Sequence, residues 1–141
     1  MPLRLVVDTN VLVSALYKPA SVPARALEAI WHVSEGQGAA CWLYDARILD
    51  EYRTVLARPK FRALDRHRID ELIDTIVSRG ADLGEVAAWD GALPDEGDRI
   101  FVEAALAGRA AIVTGNIKHY PLDLGFEVLP PATMLAQLGF A

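Results

Sequence analysis

The chain has 141 residues, of which 52% are hydrophobic and 23% charged, and its formal net charge is −5. This length and composition predict a single ordered globular domain over residues 1–141, with a core that needs no disulfide or structural metal. They exclude a low-complexity chain, and no apolar run reaches the roughly 18–20 residues that span a bilayer, so we expect no membrane partner. The acidic balance argues against broad nonspecific attraction to polyanions.

Cysteine usage and the start of the chain bear on the compartment. The only cysteine is Cys41, which lies in an apolar strand pattern. We therefore predict a buried, inert thiol and no intrachain disulfide, as in a reducing compartment. The chain starts directly with a strand pattern and has no signal-peptide pattern, so we expect a cytoplasmic protein.

The first elements alternate strand and helix. The apolar run Leu3–Val7 predicts a buried parallel strand that ends at Asp8. Ser21 opens a helix with apolar residues at helical spacing, and the glycines of residues 36–38 end it. Ala39–Tyr44 predicts the second strand, and Asp45 then caps a second amphipathic helix.

The second half continues the alternation. Arg58-Pro59 ends the helix after Asp45, because the residue before proline avoids helical backbone. A third apolar helical stripe runs over residues 69–77 and stops at Gly80, and residues 86–89 show a weak strand pattern. An acidic turn over residues 94–98 leads into a short helix that ends at Gly108.

Two more strands and a helix complete the pattern. Ala110–Val113 and Phe126–Leu129 predict strands, and Pro130-Pro131 opens a terminal helix. Strands separated by helices imply a parallel sheet with right-handed crossovers. The predicted fold class is therefore α/β, a three-layer α/β/α sandwich with a central parallel sheet.

Three acids fall near the carboxyl edge of this predicted sheet, where open α/β sheets bind ligands. Asp8 ends the first strand, Asp98 opens a helix, and Glu51 lies at the border of an apolar helical stripe. Taken alone, an Asp at a strand end is more often a helix cap or turn former. Three clustered carboxylates repel each other unless a cation neutralises them, and hard oxygen ligands suit Mg²⁺ or Mn²⁺. His32, His67 and His119 are isolated, so no zinc-type spacing is present.

Basic residues are concentrated in one segment. Five of the fourteen Lys and Arg residues fall within eleven positions: Arg58, Lys60, Arg62, Arg66 and Arg68. This segment is either a solvated loop and helix start or a local phosphate-steering patch on an acidic protein.

Four blocks of sequence, in this order, resemble the PIN domain family. They are Val6–Ser14, Ile48–Phe61, Pro94–Phe101 and Ile112–Asn116. The chain is most similar to the toxin-type PIN proteins of bacterial toxin–antitoxin modules. The resemblance implies a metal-dependent ribonuclease with an acidic pocket, an RNA substrate, a cognate antitoxin partner and a homodimer formed through helical faces.

Carried over by position, the resemblance implies a set of site residues. Asp8, Glu51 and Asp98 match the first three acidic metal ligands, and they are the expected catalytic residues. The polar residues that buttress the first carboxylate or touch substrate are Asn10, Ser14 and Thr114.

The chain departs from the family pattern at the fourth acidic position. Many PIN domains carry Asp there, whereas this chain has Asn116, whose amide oxygen can coordinate a cation but adds no negative charge. Asp95 and Glu96 either compensate for that charge or decorate a turn. Lys118 and the adjacent His119 are either a surface loop or phosphate contacts, and we expect Glu103 and Asp123 to be solvated.

Two other function classes remain open from the sequence. Asn116 favours a PIN domain that has lost turnover and binds RNA or a protein partner. A receiver-like phosphoacceptor is disfavoured, because such domains need adjacent acids after the first strand and this chain has one Asp after Val7.

Overall fold

The computed structural model describes residues 2–34 and 38–140. The first strand, β1 (Leu3–Val7), is followed by α1 (Thr9–Tyr17) and α2 (Val22–Ser34), and then by β2 (Ala40–Tyr44) and α3 (Ala46–Leu56). The apolar run of β1 is fully buried from Leu5 to Val7, which is why it forms a central strand. Helix α1 has no counterpart among the predicted elements, and residues 36 and 37 of the predicted helix stop lie outside the described residues.

The second half contains shorter elements. They are α4 (Arg66–Arg79), β3 (Ala81–Asp82), α5 (Arg99–Gly108), β4 (Ala111–Val113), β5 (Val128–Leu129) and α6 (Pro131–Gln137). Three short 3₁₀ turns cover Pro59–Phe61, Glu96–Asp98 and Ile117–His119. No helix in the described part of the chain is both long and apolar enough to cross a membrane.

The described strands form one five-stranded sheet in the order β3-β2-β1-β4-β5, and every pairing is parallel. The chain moves from β1 to β3 in one direction and returns to β4 in the other. Right-handed crossovers in the two directions place helices on both faces of the sheet, and α3 contacts both α1 and α5. Helix α2 packs on β2 and α6, and α5 packs on β1 and β4. The predicted three-layer α/β fold with a parallel sheet is confirmed.

Local sequence signals account for the helix starts. The Asp45 carboxylate accepts a hydrogen bond from the Ile48 N–H (3.0 Å), as its predicted capping role requires. Ser21 Oγ accepts from the Ala24 N–H at 3.4 Å, consistent with the predicted start of α2. The buried stripe of α3 consists of Ile48, Tyr52, Val55 and Leu56.

Two sequence expectations are wrong. Residues 86–89 form no strand, because the Trp89 N–H donates to the Glu103 carboxylate (2.8 Å) and its carbonyl accepts from Arg99 (2.6 Å). Side chains thus satisfy this backbone, and the strand is instead Ala81–Asp82, which pairs with the end of β2. Cys41 is half-buried rather than buried, since it pairs with the exposed Arg4 near the amino edge of the sheet.

Candidate active site

Asp8 is the most firmly positioned acid at the carboxyl edge of the sheet. It follows β1 directly and is 6% exposed. Its Oδ2 accepts hydrogen bonds from the Tyr120 hydroxyl (2.7 Å) and the Thr114 hydroxyl (3.0 Å), and its Oδ1 accepts from the Asn10 N–H (3.3 Å). The carboxylate therefore caps α1 and is also fixed by the chain that follows β4.

Asp98 lies where a 3₁₀ turn passes into α5, and it is 8% exposed. Its Oδ2 is buried and has no hydrogen-bond partner among the described residues. Burial raises the pKa of Asp98 to about 6, and the negative charges of Asp8 and Asp95 act in the same direction while His119 opposes them. An unsatisfied buried carboxylate oxygen is costly, so this site favours a bound cation.

Glu51 reaches the same edge from α3 and is half-buried. Burial raises its pKa, the charge of Arg58 opposes this, and the charges of Asp8 and Asp95 raise it further. The charges of Asp8 and Asp95 therefore act on both Glu51 and Asp98, which places the three predicted acids at the same edge of the sheet.

The two acids of the turn before Asp98 behave differently. Asp95 is exposed and caps the 3₁₀ turn through the Gly97 N–H (2.9 Å), while its charge acts on both Glu51 and Asp98. Glu96 is instead paired with Arg99 (2.6 Å), and this hydrogen bond lowers its pKa. The structure thus brings Asp95 into the acidic group and directs Glu96 to a surface ion pair.

The residues expected to support Asp8 or touch substrate lie in different surroundings. The Thr114 hydroxyl is fully buried and accepts hydrogen bonds from the Asn10 amide (3.4 Å) and the Asn116 backbone N–H (3.0 Å). The Asn10 carbonyl oxygen accepts from the Gly115 N–H (3.2 Å), which ties α1 to the loop after β4. Ser14 lies one turn further along α1 than Asn10, with an exposed side chain.

The loop after β4 carries the remaining predicted residues. Asn116 and Lys118 are both exposed. Only the backbone of Asn116 is engaged, since its carbonyl also accepts from the His119 N–H (3.0 Å). This bonding is that of a turn residue, so the structure accounts for Asn116 without a bound ion.

Two residues of this loop contact the acids in a way that the sequence did not predict: His119 was expected only as a surface residue or phosphate contact, and Tyr120 was not singled out. His119 Nδ1 lies 3.3 Å from Asp98 Oδ2. The buried Tyr120 hydroxyl donates to Asp8, and burial raises its pKa, as do the charges of Asp8 and Asp98. It therefore stays protonated as a donor between two carboxylates. The sequence signal was weak, because both residues lie beyond the end of a strand with no helical or strand periodicity.

Glu103 is buried, although the sequence predicted that it would be solvated. It is 5% exposed, and its carboxylate accepts from Arg47 Nη1 (2.6 Å) and from the Trp89 N–H (2.8 Å). Burial acts to raise its pKa, but these two hydrogen bonds outweigh it and lower the pKa overall. Glu103 is therefore a buried structural acid rather than a solvated one, whereas Asp123 is exposed as expected.

The donor atoms at the edge fit a divalent cation. In the part of the chain that the structure describes, one ligand atom from each of Asp95, Asp98 and His119 lies within 4.8 Å of the others. Asp98 also carries the unpartnered buried oxygen Oδ2, and the charge of Asp8 acts on its carboxyl group. A separate cavity of about 700 Å³ lies at the amino edge, lined in part by Arg4, Arg109 and Glu127, and contains none of these acids.

Comparison with known protein families decides the identity of the fold. Residues 4–118 match the PIN domain family. The chain belongs to the PIN domain family. No curated protein matches its sequence.

A solved structure extends the likeness of this PIN domain to three dimensions. The chain is similar to a chain of the crystal structure of VapBC2 from Rickettsia felis bound to a DNA fragment from their promoter. The TM-score is 0.60 and the sequence identity 17%, over 91% of this chain and 98% of that chain. The likeness is one of fold, and it agrees with the resemblance to toxin-type PIN domains.

Proposed function

We propose that this PIN domain is a metal-dependent endoribonuclease that hydrolyses RNA phosphodiester bonds. The observation that carries the proposal is the pair of buried carboxylates, Asp8 and Asp98, which the fold holds with Glu51 at the carboxyl edge of a parallel sheet. Burying acids that repel each other lowers the stability of the fold, and a cation bound between them would relieve that repulsion.

In this proposal Asp8 and Asp98 hold Mg²⁺ or Mn²⁺, and Glu51 binds it directly or through water. Asp8 Oδ1 keeps a lone pair for this role, because Tyr120 and Thr114 both bind Oδ2 and Oδ1 accepts only the 3.3 Å hydrogen bond from the Asn10 N–H in the described structure. When bound, the ion supplies a more nucleophilic water and neutralises charge on the phosphate. Asn116 could add an amide oxygen to the same ion.

The residues around the acids position the site and its substrate. Thr114 and Tyr120 orient Asp8, and Asn10 joins α1 to the loop after β4. Ser14 and Lys118 are exposed and available to touch RNA. Lys118 follows the Asn116 turn, so its ammonium group is a candidate phosphate contact at the pocket rim.

An RNA path from the pocket is supported by the basic segment. Its five cationic side chains are all exposed, and the charge of Arg58 acts on Glu51, which places the start of the segment beside the site. Exposed cations next to an acidic pocket give phosphates a favourable approach on an otherwise acidic protein.

The biological role that we propose is the toxin of a toxin–antitoxin pair in the cytoplasm, acting as a homodimer. The fold likeness to a chain of VapBC2 supports this role. The antitoxin would insert an Arg or Lys side chain beside Asp8, Glu51 and Asp98 and displace the cation, since a guanidinium satisfies clustered carboxylates.

A second candidate is a PIN domain that binds RNA or a protein partner without turnover. Asn116 is the observation that favours it, because its exposed side chain adds no charge and its backbone already serves a turn.

Turnover of a model RNA separates the two candidates. The wild type with Mn²⁺ should cleave the RNA, and chelation or Asp8→Asn should abolish cleavage while the fold remains intact. Asp123→Asn, in an exposed loop, is the matched control and should keep full activity. RNA binding without cleavage in the wild type would favour the binding module, and equal cleavage by Asp8→Asn would remove Asp8 from the site.

A further inference from the structure

The imidazole of His119 is placed against the one buried carboxylate oxygen of the site that lacks a hydrogen bond. Its Nδ1 lies 3.3 Å from Asp98 Oδ2, yet the two atoms form no hydrogen bond in the described structure. The 3₁₀ turn Ile117–His119 fixes this position through the Tyr120 N–H, which donates to the Ile117 carbonyl (3.1 Å).

The spacing of these atoms is that of ligands around one ion. Atoms bound to a divalent cation at about 2.1 Å lie about 3.0 Å apart when adjacent and about 4.2 Å apart when opposite. The 3.3 Å between Nδ1 and Oδ2 is close to the adjacent separation. One carboxylate oxygen of Asp95 lies within 4.8 Å of a ligand atom of His119 and of a ligand atom of Asp98, and the Asp95 side chain is exposed.

We propose that His119 Nδ1 is a direct ligand of the site's divalent cation, which it shares with Asp98 and Asp95, so that the site prefers Mn²⁺ to Mg²⁺. The proposal rests on the proposed function, because it concerns the ion of the same pocket. Mg²⁺ is a hard ion that gains little from an imidazole, whereas divalent transition metals, with Mn²⁺ the weakest of them, gain more from a nitrogen donor.

His119 is exposed enough that its substitution should leave the fold intact. The His119 side chain is 41% exposed, so it contributes little to the core. His119→Asn keeps a side-chain oxygen near the Nδ1 position but removes the ring nitrogen. His67→Asn is the matched control, since His67 is 80% exposed and pairs with Glu71 on α4.

Pulsed electron paramagnetic resonance of bound Mn²⁺ tests the proposal on the full chain. The wild type and His67→Asn should show modulation from a directly coordinated ¹⁴N nucleus, and His119→Asn should lose it. The wild-type spectrum needs no variant, so a folding defect cannot hide the answer. A wild type without ¹⁴N coupling, or a His119→Asn variant that retains it, overturns the proposal.

Calorimetric titration adds a second readout. His119→Asn should weaken Mn²⁺ binding about tenfold and Mg²⁺ binding less than about threefold, because only Mn²⁺ benefits from the nitrogen. Equal losses for the two ions, or none, overturn the proposal. If Mn²⁺ binds through oxygen ligands alone and the protein still cleaves RNA, this proposal is wrong and the proposed function stands. If the spectrum shows ¹⁴N coupling but the protein cleaves no RNA, the proposed function is wrong and this proposal stands.

Discussion

At the scale of single residues, the site depends on how Asp8 is held. The Tyr120 hydroxyl is 2.7 Å from Asp8 Oδ2, and its pKa is raised by burial and by the two neighbouring carboxylates. A neutral donor in this position satisfies Oδ2 of Asp8, while Oδ1 accepts only the longer hydrogen bond from the Asn10 N–H (3.3 Å) among the described residues and can also bind a ligand.

Tyr120→Phe should destabilise the protein by about 2 kcal/mol, the usual cost of losing a buried hydrogen bond to a charged group. Urea unfolding measures this cost. Tyr17→Phe is the control, because Tyr17 is 50% exposed and its hydroxyl bond to the Lys60 carbonyl is 3.4 Å long. Similar losses in both variants would mean that the Tyr120 hydroxyl does not support Asp8.

The raised pKa of Asp98 predicts how stability depends on pH. The folded protein keeps a proton on Asp98 up to pH about 6, whereas an unperturbed Asp releases it near 3.8. The unfolded chain therefore binds fewer protons between these values, and stability falls as pH rises from about 4 to 6.

Asp98→Asn removes this titration, so the variant should not lose stability in this way. Without metal, the stability of the variant relative to wild type should rise by on the order of 2 kcal/mol between pH 4 and pH 7.5. Unfolding by urea at the two pH values measures the difference between variant and wild type. Asp123→Asn should keep the wild-type profile. Parallel profiles for Asp98→Asn and wild type would show that Asp98 is not held protonated by the fold.

Asn116 gives a residue-scale test of the metal shell. If its amide is a weak ligand, Asn116→Asp should raise Mn²⁺ affinity by adding a negative charge, and Asn116→Ala should weaken it only modestly because water can replace a carbonyl oxygen. If Asn116 only closes the turn, as its bonds to Thr114 and His119 allow, Asn116→Asp leaves the affinity unchanged. Calorimetric titration with Mn²⁺ distinguishes these outcomes.

At the scale of elements, helices α2 to α6 and strands β1, β2, β4 and β5 followed from local patterns, whereas α1 and β3 did not. The buried run of β1 and the cap at Asp45 are local signals, so they could be predicted. Strand β3 has two residues and depends on pairing with β2, which no local pattern encodes. The false strand at residues 86–89 has the same cause, because its backbone bonds go to side chains of α5.

The sequence predicted the acids of the candidate site but not the contacts that the loop after β4 makes with them. Asp8, Glu51 and Asp98 were found because each falls at a recognisable strand end or helix position. The contacts of His119 with Asp98 and of Tyr120 with Asp8 were not predicted, since only the return of the loop after β4 brings these residues together. Such contacts depend on topology rather than on local sequence.

Helix α5 also fixes the loop that carries Asp95. Arg99 donates to the Trp89 and Gly91 carbonyls (2.6 and 2.9 Å), and Glu103 accepts from Arg47 and the Trp89 N–H. Glu103→Ala should therefore cost about 2 kcal/mol, because it leaves partly buried donors unpaired. Chemical denaturation measures it against Glu71→Ala, whose exposed pair with His67 should contribute almost nothing.

A loss in Glu103→Ala no larger than in Glu71→Ala would show that the loop is held by other contacts. Restoration of most of the stability by Glu103→Gln would indicate that the hydrogen bonds matter more than the charge.

At the scale of the whole molecule, the parallel sheet gathers acids from distant segments at one edge. Asp8 follows β1, Glu51 lies on α3 and Asp98 begins α5, so the acids meet only in the folded chain. A cation that binds them binds the folded state alone and must stabilise it by linkage.

Thermal unfolding with and without Mn²⁺ tests this central claim most directly. At Mn²⁺ concentrations about a hundredfold above Kd, the wild type should gain roughly 5 to 10 °C in Tm, as should the Asp123→Asn control. Asp8→Asn should remain folded and show no such gain. An equal Mn²⁺-dependent rise in Asp8→Asn and wild type would contradict a cation site built on the buried acids of the sheet edge.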